Sequence, residues 1–106
     1  MFLARVTGSV VATQKAQSMT GHKLLVVEPL RVDPQDRTKL TGTGRSFVAV
    51  DALGAGINQM VLIVQGSSAR LMPATEKLPI DTAIIGIVDT VQVGDKTVFD
   101  ARLESA

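Results

Sequence analysis

The sequence predicts a mainly β protein, a small OB-like barrel that is closed or nearly closed and carries one short helix. Short apolar runs rich in β-branched residues recur along the 106 residues, and turn residues separate them. Helical periodicity is scarce. Apolar residues make up 45% of the chain but aromatic residues only 3%, so the core must be aliphatic. A chain of this length forms one core, and we expect a single domain over residues 1–106.

The first half of the chain supplies three predicted strands. Residues 2–13 are rich in β-branched side chains and roughly alternate, with Gly8 where a strand would bend or bulge. Residues 23–30 form a second apolar run, and residues 45–53 alternate again. Residues 31–44 are dense in Asp, Pro, Thr and Gly, which predicts a long surface loop.

The second half predicts three more strands. Residues 59–66 are apolar enough to be buried on both faces, and residues 82–93 form one further strand. The Gly-Asp pair at 94–95 permits a tight turn into a last strand over residues 96–101.

One segment carries a helical signal. Residues 67–72 fit one or two turns, with Ser67 or Ser68 as the capping residue and Pro73 as the end. A connector fenced by two prolines follows at residues 73–79.

The glycine-rich stretch at 54–58, Gly-Ala-Gly-Ile-Asn, resembles a phosphate-binding loop only superficially. A dinucleotide fingerprint needs a third glycine and a following helix, whereas Gln59 stands at that position and a strand follows. Two interpretations remain open. The stretch is a turn between strands in which glycine permits positive φ, or it lets the backbone of another chain approach closely.

Catalytic and metal-binding chemistry is not expected. The chain has no cysteine, and His22 is its only histidine. The Gly-Ser-Ser-Ala-Arg stretch at 66–70 lacks the last glycine of a nucleophile elbow. The carboxylates nearest the apolar runs are predicted to be hydrogen-bonding groups at strand ends or turns; they are Asp51, Asp81 and Asp89. We expect no enzyme and no cofactor.

Nucleic acid and membranes are not expected as partners. The net charge is +1, and the eleven Lys and Arg residues are scattered. Proteins that bind single strands present aromatic side chains along a basic groove, but this chain has only three Phe and no Trp or Tyr. No signal peptide or membrane-spanning run is visible, which favours a cytoplasmic protein.

Four blocks of the sequence, taken together, resemble the EutN/CcmL family, the pentameric vertex proteins of bacterial microcompartments. In chain order they are ARVTGSVVATQK (4–15), GHKLLVVEPL (21–30), VAVDALGAGINQMVLIVQGSSAR (48–70) and PIDTAIIGIVDTV (79–91). The resemblance implies a small β-barrel that assembles into a ring of five. It also implies a shell protein that encloses enzymes, with hexameric shell proteins as further partners.

The resemblance also assigns roles to residues. The turn formed by Gly54, Ala55, Gly56, Ile57 and Asn58 would lie near the centre of the ring, where five backbones crowd together. Contacts between subunits, or between pentamer and hexamer, would be made by Ser67, Ser68 and Arg70, with Arg5 and Lys15 as further candidates at edges. An ordinary helix cap with a solvated arginine is the alternative for the segment around Arg70.

The resemblance also bears on the charge of the ring and on the type of compartment. The family commonly has Glu where this chain has Gln59, so a ring of negative charge is not expected here. The motifs favour a carboxysome vertex over one from an ethanolamine or propanediol compartment. The rival from another class is a monomeric OB-like module that binds nucleic acid or oligosaccharide.

Overall fold

The computed structural model describes residues 1–13 and 15–103. Two short 3₁₀ helices, Gln17–Met19 and Gly66–Arg70, accompany the strands. The strands in chain order are β1 Phe2–Val10, β2 Lys23–Val32, β3 Leu40–Gly42, β4 Phe47–Asp51, β5 Met60–Gln65, β6 Thr82–Ile87, β7 Thr90–Val93 and β8 Lys96–Asp100.

Five of the strands close into a barrel. β1 pairs with both β2 and β5, β5 continues to β6, β6 to β4, and β4 returns to β2. The β4–β6 pair is parallel and the others are antiparallel. Full closure leaves no unpaired edge around this ring of strands. The predicted small OB-like barrel is confirmed.

The barrel is filled by aliphatic side chains, as the composition required. Alternate positions of each strand point inward, and the largest inward side chains are Leu25, Ile63 and Ile84. A second cluster lies outside the barrel wall on β4 and β6. Each 3₁₀ helix covers this cluster with one side chain, Met19 and Ala69, and the segment between the second 3₁₀ helix and β6 adds Leu78.

Gly8 marks an irregularity in the barrel, as predicted. The register of the β1–β2 pair shifts between Val6 and Gly8, which is the signature of a bulge. A side chain at Gly8 would meet Val26 across the pair at an ordinary contact distance. Glycine is therefore not required by space at this position, although it lies at the register shift.

The prediction of a loop over residues 31–44 is wrong at both of its ends. β2 continues to Val32, and β3 pairs with it from Leu40 to Gly42 as a short hairpin. The Asp33 carboxylate closes the turn by accepting hydrogen bonds from the amides of Gln35 and Asp36, at 2.8 and 3.2 Å. The polar composition predicted a loop because this hairpin turn is stabilised by hydrogen bonds to Asp33.

The single strand predicted over residues 82–93 is two strands in different sheets. β6 belongs to the barrel and ends at Ile87, whereas β7 pairs only with β8 in a separate hairpin. The tight turn at 94–95 is confirmed, with Gly94 at φ 62°. The molecule is elongated, 46 × 28 × 23 Å.

The predicted helix is present as a 3₁₀ helix, but its predicted cap is wrong. It begins at Gly66, and the capping position is Gln65, which makes no side-chain capping hydrogen bond. The start of the helix is held instead through the backbone: the amide of Gly66, its first residue, donates to the carbonyl of Asp81 at 2.8 Å. Ser67 and Ser68 lie within the turn and are exposed.

Candidate functional site

The glycine-rich turn, which we name the 52–59 loop, joins the end of β4 to the start of β5 and is organised by one buried carboxylate. Asp51 is the last residue of β4, and its side chain is fully buried. Its Oδ1 accepts the amide of Leu53 at 2.9 Å, and its Oδ2 accepts the amide of Ala55 at 2.8 Å. Both carboxylate oxygens therefore define the path of the loop, as the predicted role of a strand-end hydrogen-bonding group requires.

A lysine on the neighbouring strand completes this arrangement. Lys23 lies opposite Asp51 in the β2–β4 register. Its Nζ donates to the carbonyl of Ala55 at 2.7 Å and lies 3.8 Å from Oδ2 of Asp51. The buried negative charge thus has a cation beside it, which offsets part of the cost of burying it. Both polar groups of the Ala55 backbone are bound by side chains.

The backbone of the loop takes its left-handed conformations at Gly54, with φ 87°, and at Asn58, with φ 72°. Gly56 has no positive φ, so the expectation that this glycine is needed for a left-handed turn is wrong. Its amide donates to Oε1 of Gln59 at 2.7 Å, and the amide of Gln59 donates back to the carbonyl of Gly56 at 3.2 Å. A methyl group at Gly56 would meet only this Oε1, at 3.8 Å.

The end of the loop is fastened to β1. The Asn58 amide donates to the carbonyl of Val6 at 2.8 Å, and the Val6 amide donates to the carbonyl of Gln59 at 3.0 Å. Nη1 of Arg5 donates to the carbonyl of Asn58 at 2.8 Å. The same guanidinium lies 5.7 Å from the ring centroid of Phe99, so Arg5 connects the loop to the β7–β8 hairpin.

The loop presents apolar side chains to the outside although its backbone is fixed. Ala55 is fully buried in the chain's own core, and it separates Leu53 and Ile57, which are 47% and 54% exposed. The sequence prediction treated residues 54–58 as one contact segment. The structure divides them into an inward Ala55 and an outward Ile57, with the exposed Leu53 as a further outward side chain.

The second predicted segment is at the other end of β5. Arg70 is exposed, and its Nη1 donates to the carbonyl of Ile80 at 2.6 Å, which ties the 3₁₀ helix to the segment before β6. Ala69 is buried beneath it. Since β5 spans residues 60–65, the two predicted contact segments are separated by a strand of roughly 17–20 Å. The structure does not bring them together.

Reactive groups do not converge in the described part of the chain. No three His, Asp or Glu side chains there lie close enough to hold a metal ion. Of the other predicted carboxylates, Asp81 accepts a 3.4 Å hydrogen bond from Oγ1 of Thr82, and the carbonyl of Asp89 accepts the amide of Ala101. No helix over residues 1–13 and 15–103 is long and apolar enough to cross a membrane.

One surface was missed by sequence reasoning. Phe2 at the start of β1 and Phe47 at the start of β4 lie in the same open groove of about 270 Å³, and Arg31 and Arg45 flank it. From the sequence alone, three phenylalanines and scattered basic residues predict no such patch. Only the closure of the barrel places these residues side by side, and no local sequence signal marks them.

Comparison with known proteins identifies the family of this chain. Residues 1–89 match the family model described as "Ethanolamine utilisation protein EutN/carboxysome". The chain belongs to the EutN/CcmL family. The resemblance noted in the sequence is thereby confirmed.

The relatives are microcompartment shell vertex proteins of several kinds. The chain is 47% identical to PduN of Salmonella typhimurium over 86% of this chain and 98% of the relative. It is 44% identical to EutN of the same organism, over 93% and 94%. It is 40% identical to the carboxysome protein CcmL of Synechocystis, over 96% of each chain.

Solved structures agree with this membership. The structure of Gloeobacter violaceus CcmL superposes with a TM-score of 0.84 at 36% identity, covering 96% of this chain and 99% of that one. GrpN of Rhodospirillum rubrum, described as a pentameric microcompartment shell protein, gives 0.73 at 41% identity, covering 89% and 99%. The EutN/CcmL chain described here therefore shares its barrel with pentameric shell proteins.

Proposed function

We propose that this chain forms a homopentameric ring at the vertices of a bacterial microcompartment shell, with the 52–59 loop at the centre of the ring. The observation that carries the proposal is the loop itself. Its backbone is held by Asp51, Lys23 and Arg5, while Leu53 and Ile57 point away from the chain's own core. Apolar side chains on a preorganised support suit a contact that neighbouring copies cover.

Ring closure follows from the type of contact. One patch of a subunit binds a different patch of the next, and such a head-to-tail contact closes into a ring when its rotation angle allows. Hexameric tiles alone form a flat sheet, so five-fold rings supply the curvature that closes a shell. Hexameric shell proteins are therefore the proposed partners at the outer rim, and Ser67, Ser68 and Arg70 are candidates for that rim or for the subunit contact.

We favour a carboxysome as the compartment. Structural agreement supports it by a small margin, with a TM-score of 0.84 for Gloeobacter violaceus CcmL against 0.79 for an ethanolamine utilization protein, EutN. The match to Synechocystis CcmL also covers 96% of this chain, against 86% for PduN. Sequence identity favours the alternative, a propanediol or ethanolamine compartment, because PduN and EutN are 47% and 44% identical to this chain.

Native mass spectrometry tests the ring. A dominant pentamer at micromolar concentration is the expected result. A stable monomer would contradict the proposal and would favour the rival function, a monomeric OB-like binding module. Ile57→Asp is expected to reduce the pentamer selectively, because Ile57 is placed at the proposed contact, whereas Leu103→Asp, at an apolar residue that is 81% exposed and outside the 52–59 loop, is the control.

Co-expression tests the compartment type. The chain is produced with the hexameric shell proteins of a carboxysome or, separately, with those of a propanediol compartment, and particles are examined by electron microscopy. Closed polyhedral shells only with the carboxysome set are expected. Closure only with the propanediol set would overturn the carboxysome assignment while leaving the vertex function intact.

A further inference from the structure

We propose that the groove between Phe2 and Phe47 is a docking site for a protein segment that carries an apolar side chain next to a carboxylate. The groove opens at the starts of β1 and β4 and the ends of β2 and β5. The 52–59 loop lies at the opposite ends of β4 and β5, roughly 13–17 Å along the strands. The groove is therefore separate from the 52–59 loop at the proposed ring centre, while its lining residue Gln65 directly precedes the Gly66–Arg70 helix.

The floor of the groove is apolar and partly open. Phe2 is 45% exposed. Phe47 packs against the barrel core and also lines the groove, so its position is fixed by the core. Pro29 and Leu30 extend this floor along β2. An aromatic ring held by the core offers a preformed surface for an apolar side chain, and little side-chain freedom is lost on binding.

Two arginines, Arg31 and Arg45, give the rim its positive charge. Within the described part of the chain, neither Arg31 nor Arg45 has a carboxylate at ion-pair distance. The nearby carboxylate of Glu28 accepts the amide of Gly44 at 3.0 Å. The guanidinium of Arg45 lies 5.5 Å from the ring centroid of Phe47, which orients it over the floor. Two guanidinium groups beside an apolar floor are complementary to an acidic, amphipathic segment.

The dimensions favour a protein segment over a nucleic acid strand. About 270 Å³ accommodates one or two side chains. A single strand needs a basic track that follows several phosphates and a series of stacking rings, whereas this groove has two arginines and two phenylalanines. Nucleic acid therefore becomes an outcome of the test.

Because the chain has no Trp or Tyr, the fluorescence of a tryptophan-containing peptide can be measured without background from the protein. The probes are the peptides Ac-Glu-Trp-NH2 and Ac-Gln-Trp-NH2, with oligo-dT as the nucleic acid probe. Fluorescence anisotropy at low salt gives the affinities, and ¹⁵N NMR shifts show where each peptide binds. We expect the Glu peptide to bind at the groove at least fivefold more tightly than the Gln peptide.

Matched variants distinguish binding in the groove from a general effect of positive surface charge. Arg31→Gln with Arg45→Gln is expected to weaken the Glu peptide at least fivefold, and Arg37→Gln, on the same β2–β3 hairpin but outside the groove, is expected to leave binding unchanged. All variants are expected to keep the oligomeric state of the original chain in native mass spectrometry, which separates this test from that of the ring.

Three results would overturn the inference. The first is equal affinity of the Glu and Gln peptides, or no shift of groove amides at millimolar peptide. The second is oligo-dT binding more tightly than either peptide through the same arginines. The third is loss of the oligomer on replacing Arg31 and Arg45, which would make the groove a contact between copies.

Discussion

Lys23 and Asp51 lie opposite each other across the β2–β4 pair, and both bind the backbone of one residue of the loop. Lys23 binds the carbonyl of Ala55 at 2.7 Å, and Asp51 binds its amide at 2.8 Å. The two strands thus fix the middle of the 52–59 loop through contacts within the chain itself. Preorganisation of this kind lowers the entropy lost when a contact forms.

The first prediction concerns the buried carboxylate. Asp51→Asn should lower the free energy of unfolding by about 2–3 kcal/mol, because an amide cannot accept from both the Leu53 and Ala55 amides and a charged acceptor is lost. Urea denaturation followed by circular dichroism measures this, with Asp95→Asn at the exposed hairpin turn as the control. Equal stability of the two variants would contradict the assigned role of Asp51.

The second prediction concerns backbone conformation. Gly54 has φ 87° with nothing within 4 Å of an added Cβ, so Gly54→Ala should cost roughly 1–2 kcal/mol through left-handed strain alone. Asn58 is the second left-handed residue of the loop, and Asn58→Gly should be tolerated. Loss of stability in Asn58→Gly larger than in Gly54→Ala would show that the Asn58 side chain, and not its conformation, matters.

The third prediction concerns Gly56. A substitution at this position distinguishes an effect on the fold of the subunit from an effect on ring assembly. Because Gly56 needs no left-handed conformation and has free space within its own chain, Gly56→Val should leave the circular dichroism spectrum of the subunit unchanged. If five loops crowd together, the same change should at least halve the pentamer fraction in native mass spectrometry. Ala101→Val, at an exposed position outside the 52–59 loop, is the control. An intact pentamer of Gly56→Val would argue against close backbone approach there.

The fourth prediction concerns a titrating pair at the end of β8. Side-chain hydrogen bonds from Arg102, and then the Arg102 amide, hold the pKa of Asp100 below its ordinary value of 3.8. A carboxyl with a lowered folded-state pKa stabilises the fold above its unfolded pKa, and this contribution is lost as the pH falls through the lowered value.

In Arg102→Gln, the pKa of Asp100 should therefore rise toward 3.8. Carboxyl ¹³C NMR against pH measures the shift, and Asp95 serves as an internal reference. An Asp100 pKa that stays equally low in the variant would mean that the Arg102 side chain does not set it, and that the backbone amide of residue 102 or another group does.

The sequence predicted the parts of the fold that local patterns encode. Alternating apolar residues marked the strands, Gly8 marked the bulge, and Gly94 marked the last turn. The closed architecture also follows from many short strands without helices. The parallel register between Val50 and Ala83 carries no local signal, because it depends on which strand fills the gap between β4 and β5.

The candidate site was less accessible to sequence reasoning. The polarity of residues 31–44 concealed the β2–β3 hairpin, because its turn is stabilised by Asp33 and not by apolar packing. Likewise, Ala55 and Ile57 are both apolar and near in sequence, but only the structure shows that one is buried and the other exposed. Phe2 and Phe47 are distant in sequence and meet only when the barrel closes.

The position of β6 in the chain determines at which point of synthesis the barrel can close. β6 lies between β4 and β5 in the sheet, yet it is the last barrel strand to leave the ribosome. Until β6 has been synthesised, the edges of β4 and β5 that pair with it are unpaired. The residues up to the end of β6 must therefore be present before the five-stranded barrel can close, and a chain that stops before Thr82 lacks the strand that joins β4 to β5.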